Sequence, residues 1–230
     1  MKIAIDGPAG AGKSTIAKEV SKRLDFMYVD TGAMYRTIAL DCINKGIGFA
    51  DADEEAVSRA CREADIEVTY ENGAQHMYLD GEDVSKKIRR EEVGNGASAA
   101  SRFGAVRERL VQIQRELGEK YNVVMDGRDI GTVVLPDAEV KIFLTATAPC
   151  RAQRRYKEIL ARGEEADFDK ILKDIEQRDY NDSHRAIAPL KPAEDSVIID
   201  SSDMSIEQVT EQVLKLVTGA DKALAHPGDN

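Results

Sequence analysis

The chain has 230 residues, 42% hydrophobic and 32% charged, which is ordinary for a globular domain with a sizeable core. Its net charge of −10 opposes binding to a nucleic-acid backbone, and its 5% aromatic content offers few platforms for stacking bases. The N-terminus has no signal-peptide core, and no apolar run is long enough to span a bilayer. We therefore expect a cytoplasmic protein that binds neither nucleic acid nor membranes.

The first predicted strand is the apolar run at Lys2–Ile5, and the segment GPAGAGKS follows it. This segment fits the pattern G-x-x-x-x-G-K-[ST], and an amphipathic helical pattern comes next. Glycines let backbone N–H groups approach phosphate oxygens, while the helix adds its positive dipole end. We predict a loop for ATP or GTP in which Lys13 reaches the outer phosphates and the Ser14 hydroxyl binds Mg²⁺. The predicted ATP contacts are Gly7, Pro8, Ala9, Gly10, Ala11, Gly12, Lys13, Ser14 and Thr15.

Four more short β-branched runs alternate with helical patterns, at Met27–Asp30, Asn122–Asp126, Val140–Thr145 and Val197–Asp200. This alternation predicts an α/β fold of the P-loop NTPase type, with three α/β/α layers around a five-stranded parallel sheet.

About ninety residues separate the second and third of these strands, too many for a simple crossover. Within them, two alternating runs flank Asn72-Gly73, which is a strong hairpin signal. The sequence thus predicts a small antiparallel insert. It could be a surface ornament or a lobe that covers a substrate, and its departure from the ligand-bearing edge of the sheet favours the lobe.

Several arginines lie near predicted strand ends or turns. They are Arg36 at the end of a first helical turn, Arg107 on a helical pattern, Arg128 after the third strand, and Arg178 and Arg185, seven residues apart on one face if helical. Because arginine suits forked contacts with phosphate, these charges suggest a second, phosphate-bearing substrate. An acceptor phosphate is already an anion, so its attack would need alignment and charge neutralisation but no general base.

Other functions of a P-loop fit less well. The chain has no guanine-reading N-K-x-D segment, and the strand-end Asp126 precedes glycine and arginine where a motor ATPase usually has paired acids. A different small-metabolite kinase, acting on UMP, dTMP or a sugar-like acid, stays open. So does a regulatory module that binds nucleotide without transferring phosphate, although the intact Lys13 and Ser14 oppose it.

The chain resembles the bacterial cytidylate kinases from its first strand to about residue 217. The resemblance rests on six motifs in the family's order: IDGPAGAGKST, DTGAMYR, DGEDVS, DGRDIGTVVLPDA, KIFLTA and RDYNDSHRAIAPL. It implies transfer of phosphate from ATP to CMP or dCMP, and an enlarged acceptor-nucleotide lobe that contains the antiparallel insert.

The same resemblance implies roles for individual residues. Cytosine would be read by Thr31, Arg107 and Asp129, since a carboxylate can accept from the cytosine amino group. The acceptor phosphate would be held by Arg36, Arg128 and Arg185, and the sugar by Arg178 and Asp182. The segment CRAQRRYKEILARGEEADF resembles a lid whose Arg151, Arg154 or Arg155 could reach the transferring phosphate. The predicted catalytic set is Lys13, Arg128, Arg185 and Arg154.

We expect one P-loop kinase domain over residues 1–230. Its core would comprise 1–30, 121–148 and 186–218, with an acceptor lobe at 31–120, a lid at 149–185 and a disordered tail at 219–230. The sequence shows no separate apolar stripe to bury between subunits, so we expect a monomer.

Overall fold

The computed structural model describes residues 1–50, 53–71 and 73–225, the last five of them by their backbone alone. The strands are β1 (Lys2–Asp6), β2 (Met27–Asp30), β3 (Ile66–Glu71), β4 (Ala74–Leu79), β5 (Glu82–Asp83), β6 (Val123–Gly127), β7 (Val140–Thr145) and β8 (Val197–Asp200). The α-helices are α1 (Lys13–Leu24), α2 (Thr31–Asn44), α3 (Glu54–Glu63), α4 (Glu91–Ala100), α5 (Gly104–Lys120), α6 (Ala148–Ala161), α7 (Phe168–His184) and α8 (Ile206–Ala225).

Five strands form the main sheet in the order β2-β6-β1-β7-β8. Ile3 lies beside Val140 and Ile142 beside Val197, both in parallel register. The predicted five-stranded parallel sheet is confirmed, and each predicted strand is within a residue of its observed bounds. The match follows from burial, because strands covered on both faces are continuous apolar runs that are easy to see in a sequence.

The chain divides into two compact units, which we call the P-loop unit (1–26 and 124–230) and the acceptor unit (27–123). The acceptor unit has bounds close to the predicted lobe at 31–120. Whether it acts as an acceptor-nucleotide lobe, and the segment 149–185 as a lid, stays a prediction.

The P-loop unit has its core at the central strands, where Ile3, Ile5, Ile142 and Leu144 are buried. The carboxyl ends of β1 and β6 carry Asp6 and Asp126, and both side chains are buried there. These strand ends are where ligands of open parallel sheets gather.

The acceptor unit contains the predicted hairpin. Strands β3 and β4 pair antiparallel from Ile66 beside Leu79 to Glu71 beside Ala74, and β5 pairs with β4. The hairpin is confirmed, although Asn72 of its turn lies outside the described residues. Met77 and Leu79 of β4 point into the core of this unit.

The structure differs from three local expectations. Arg185 does not share a helix face with Arg178, because α7 ends at His184 and Arg185 has extended backbone angles. Arg36 lies in the second turn of α2, since that helix already begins at Thr31. The predicted tail is helical up to Ala225, and residues 226–230 lie outside the described part of the chain.

Candidate active site

The P-loop depends on glycine at two positions. Gly7 has φ 147°, and a Cβ added there would lie 1.9 Å from the carbonyl oxygen of Leu144. Gly12 has φ 91° and is the N-cap of α1. Both are left-handed conformations that side chains oppose, so the loop can pass close to β7 and still turn into the helix.

Lys13 is the first residue of α1, and only 6% of it is exposed. Its Nζ donates a hydrogen bond to the Pro8 carbonyl at 2.7 Å, so the ammonium group lies folded over the loop. Burial lowers the pKa of Lys13 well below its ordinary value, and the nearby charge of Arg128 lowers it further. Asp126 and Asp6 oppose this effect. A bound phosphate would oppose it too, because a negative charge favours the protonated amine.

Ser14 and Asp126 meet beside the loop. The Ser14 hydroxyl donates to Asp126 Oδ2 at 2.8 Å, and the carboxylate is buried. A hydroxyl and a carboxylate supply the oxygen ligands that Mg²⁺ prefers. The sequence prediction named Ser14 alone as a metal ligand. An acid at a strand end was the available signal for Asp126, but the glycine and arginine after it pointed to an anionic partner instead.

The predicted acceptor-binding residues of the P-loop unit form two ion pairs. Arg128 Nε donates to Asp182 Oδ2 at 2.9 Å, and Arg185 Nη2 lies 3.4 Å from Asp129 Oδ1. Burial by itself would raise the pKa of Asp182, but the charge and hydrogen bond of Arg128 outweigh it and hold the pKa below the ordinary value. Arg178, one helical turn before Asp182, adds a further positive charge to the same cluster.

A buried carboxylate holds the backbone next to Asp129. Asp6 accepts hydrogen bonds from the backbone N–H groups of Ile130 and Gly131, both at 2.8 Å. These residues begin a single π-helical turn at Ile130–Val134. Burial raises the pKa of Asp6 to about 6, although the two hydrogen bonds oppose the shift. Its carboxyl group fixes the direction in which the chain leaves Asp129.

Two arginines of α6 brace the P-loop from outside. Arg151, which is 4% exposed, donates to the carbonyls of Ala9 and Ala146 and forms a two-bond ion pair with Asp179 of α7. Arg154 donates to the Ser201 carbonyl at 2.6 Å and lies 3.5 Å from the Ala11 carbonyl. Arg155 is more exposed and pairs with Glu158. That one of these arginines reaches a transferring phosphate stays a prediction.

The acceptor unit carries the other three predicted contacts. Thr31 is buried at the start of α2, where Asp30 caps the helix by accepting from the Ala33 N–H at 2.9 Å. Arg36 donates to the Ile88 carbonyl at 3.2 Å. Arg107 is buried on α5 and donates to the Ser101 carbonyl.

Comparison with known proteins gives a consistent result. A family model described as cytidylate kinase matches residues 3–219. A cytidylate kinase of Caldicellulosiruptor saccharolyticus is 50% identical over 94% of this chain and 95% of its own length. One from Desulforamulus reducens is also 50% identical, over 94% of this chain and 96% of its own length. Among solved structures, an uncharacterized protein from Eubacterium ventriosum has a TM-score of 0.51 at 12% identity, covering 95% of this chain and 98% of the other, which is a likeness of fold alone.

Proposed function

The chain belongs to the cytidylate kinase family, and from that premise we propose that it transfers the γ-phosphoryl group of ATP to CMP or dCMP, giving ADP and CDP or dCDP. The observation that carries the proposal lies in the P-loop unit. This unit contains a complete phosphate loop together with the Arg128–Asp182 and Arg185–Asp129 ion pairs. The arginines are suited to bind the phosphate of a nucleoside monophosphate, and the carboxylates are suited to accept hydrogen bonds from its sugar and base.

ATP would bind along Gly7–Thr15, with backbone N–H groups and the N-terminus of α1 facing its phosphates. Lys13 would leave the Pro8 carbonyl, or share its protons with it, to neutralise the outer phosphates. Arg154, which already lies against Ala11 of the loop and against Ser201 after β8, is the proposed catalytic arginine of the lid.

Ser14 and Asp126 are the residues that fit Mg²⁺. When bound, the ion would neutralise negative charge on the β- and γ-phosphates. Apart from that, the two side chains hold each other in place through their 2.8 Å hydrogen bond, so the carboxylate is oriented towards the loop before nucleotide arrives.

The acceptor would be selected by its base and held by its phosphate. Asp129 would accept from the cytosine amino group, whereas the uracil carbonyl at that position would be repelled. Thr31 and Arg107 would donate to the remaining base acceptors. Arg36, Arg128 and Arg185 would bind the phosphate, and Arg178 and Asp182 the sugar. Since the acceptor oxygen is already anionic, alignment and charge neutralisation suffice for transfer.

We also propose a monomer in the cytoplasm that binds neither nucleic acid nor membranes. The net charge of −10 supports the absence of nucleic-acid binding. All three cysteines are free thiols, which fits a reducing compartment. Among the described residues, no helix has both the length and the apolar character needed to cross a membrane.

The experiment is a coupled ADP-release assay with ATP and Mg²⁺ in which CMP, dCMP, UMP, dTMP, AMP, GMP and shikimate are tested in parallel. The variant Asp129→Asn replaces an acceptor with a donor at nearly constant shape. Asp137→Asn makes the same change at an exposed residue that pairs with Lys2, and serves as the matched control.

We expect turnover with CMP and dCMP, and a loss of preference over UMP in Asp129→Asn but not in Asp137→Asn. Turnover with a different acceptor would leave the P-loop assignment intact and overturn the role given to Asp129. Tight ATP binding with no turnover on any acceptor would instead support a regulatory module.

A further inference from the structure

The antiparallel insert of the acceptor unit contacts the residue before Thr31 through one side chain. Gln75, on β4, accepts a hydrogen bond from the Asp30 N–H at 2.8 Å and donates one to the Asp30 carbonyl at 3.2 Å. A single amide group thus satisfies both backbone groups of one residue, as a neighbouring strand would.

Both the oxygen and the nitrogen of the Gln75 amide have two neighbours each. The carbonyl oxygen of Gln75 also lies 3.4 Å from the Tyr70 hydroxyl, and its NH₂ group also lies 3.2 Å from the sulfur of Met77. A glutamine amide has two donor hydrogens and two acceptor lone pairs. Since the Asp30 N–H can only donate, the orientation of the amide is settled by its partners.

We call Gln75 with its two hydrogen bonds to Asp30 the clamp. Its position matters because β2 is an edge strand of the main sheet, and Asp30 is the final residue of β2. An edge strand has backbone groups without a strand partner on one side. Gln75 takes the place of that partner where the chain turns from β2 into α2. The Asp30 side chain then caps α2 and pairs with Arg89 at 2.9 Å, so Asp30 is held at both its backbone and its carboxylate.

We propose that Gln75 is a positioning residue for acceptor selection, which holds Thr31 at the start of α2 by fixing the backbone of Asp30. The proposal rests on the function proposed above, in which Thr31 contacts cytosine. It gives the insert a specific role, because a side chain 45 residues away along the sequence sets the place of a base-reading hydroxyl.

Two variants test the clamp. Gln75→Glu keeps an acceptor for the Asp30 N–H but places a second carboxylate oxygen against the Asp30 carbonyl, where the donor had been. Gln75→Asn keeps the amide and shortens it by one methylene, so it cannot make both bonds to Asp30. Gln112→Glu makes the same chemical change on the exposed side of α5, in the same unit, and is the matched control.

The first measurement is kcat/KM for CMP and for UMP, together with the KM for ATP. In both Gln75 variants we expect the CMP-to-UMP ratio to fall about tenfold, the size of one ordinary hydrogen bond. We expect the KM for ATP to stay within about twofold of the parent value, and Gln112→Glu to match the parent throughout. A role limited to stability would lower Tm and leave the CMP-to-UMP ratio unchanged in both variants, and that result would overturn the proposal.

The second measurement is hydrogen–deuterium exchange of the segment 30–33, which does not depend on activity. Faster exchange there in both Gln75 variants supports the clamp, and unchanged exchange overturns it. If the parent protein fails to phosphorylate CMP while exchange responds as expected, the proposed function fails and the selectivity claim fails with it. The two failures are therefore distinguishable.

Discussion

In each unit, one side chain makes two hydrogen bonds to the backbone beside a residue that is predicted to read the base. This side chain is a carboxylate in the P-loop unit and a neutral amide in the acceptor unit. In the P-loop unit, the Asp6 carboxylate binds the N–H groups of Ile130 and Gly131, next to Asp129. In the acceptor unit, the Gln75 amide binds the N–H and the carbonyl of Asp30, next to Thr31.

The difference follows from what each backbone offers. Two N–H groups in succession present only donors, so the complementary side chain is a carboxylate, which has acceptors alone. One N–H beside one carbonyl presents a donor and an acceptor, and an amide, which has both, matches them. A carboxylate binds more strongly but responds to pH when it is buried, whereas an amide does not titrate. The comparison therefore predicts that the P-loop unit is the more sensitive to pH and to loss of charge.

The largest expected effect is loss of the buried charge in the P-loop. Lys13→Met keeps the length of the side chain and removes its ammonium group. We expect kcat/KM to fall by about 10²–10³-fold or more, the range found when a preorganised group that stabilises transferring charge is removed. Steady-state kinetics with ATP and CMP check this. Lys22→Met, at an exposed position of the same helix, should retain the parent rate; parent-like activity in Lys13→Met would contradict the assigned role.

The next largest expected effect is on the free energy of unfolding, and it depends on whether the partner of an arginine is charged or neutral. Arg151 pairs with Asp179, whereas Arg109 of the acceptor unit donates to the carbonyls of Cys61 and Ala64. Arg151→Ala leaves two carbonyls and, in addition, a carboxylate that has lost its partner, so we expect it to lower the free energy of unfolding by about 3 kcal/mol. Arg109→Ala leaves carbonyls only and should cost about 1–2 kcal/mol.

Urea unfolding of the two variants measures this difference. Arg155→Ala, which removes an exposed pair with Glu158, should change the free energy of unfolding by less than about 1 kcal/mol and gives the baseline. Equal losses for Arg151→Ala and Arg109→Ala would show that the charge of the partner does not matter.

The smallest expected effect is on pH dependence. Because folding raises the pKa of Asp6 from 3.8 to about 6, the folded protein keeps this proton where the unfolded chain has released it. The stabilisation is fully present below the unfolded pKa and is lost as pH rises through the folded pKa. From about pH 5 to about pH 7, the parent should lose about 1 kcal/mol more of its free energy of unfolding than Asp6→Asn loses.

Asp6→Asn places an NH₂ donor against one of the two backbone N–H groups, so one hydrogen bond is lost at every pH. The quantity to follow is therefore the change with pH in the difference between the two curves. Asp137→Asn is the control, because its partner Lys2 holds the pKa of Asp137 below the ordinary value and outside this range. Parallel stability curves for the parent and Asp6→Asn would contradict the raised pKa of Asp6.

Local patterns predicted much of this molecule. The P-loop, the five strands of the main sheet and the β3–β4 hairpin are each marked by residues that lie close together in sequence, and all three are confirmed. The ends of helices were less predictable. Nothing in the spacing of Arg178 and Arg185 shows that α7 ends at His184, since that depends on where the following segment packs.

The contacts that organise the candidate site were not predictable, because they join distant residues. Ser14 and Asp126 are 112 positions apart, and Arg151 meets the Ala9 carbonyl from 142 positions away. Asp6 could have been suspected as an acid at the end of a strand. Gln75 gave no signal, because a glutamine in an alternating strand is most simply interpreted as a solvent-facing residue.

The most direct test of the proposed phosphoryl transfer is to follow the transferred group itself. ATP labelled at its γ-phosphorus is incubated with the protein, Mg²⁺ and CMP, and the products are separated and identified. We predict that the label appears in CDP, and that the amount of inorganic phosphate formed is small by comparison. Label found in inorganic phosphate alone, with CMP recovered unchanged, would contradict the proposal.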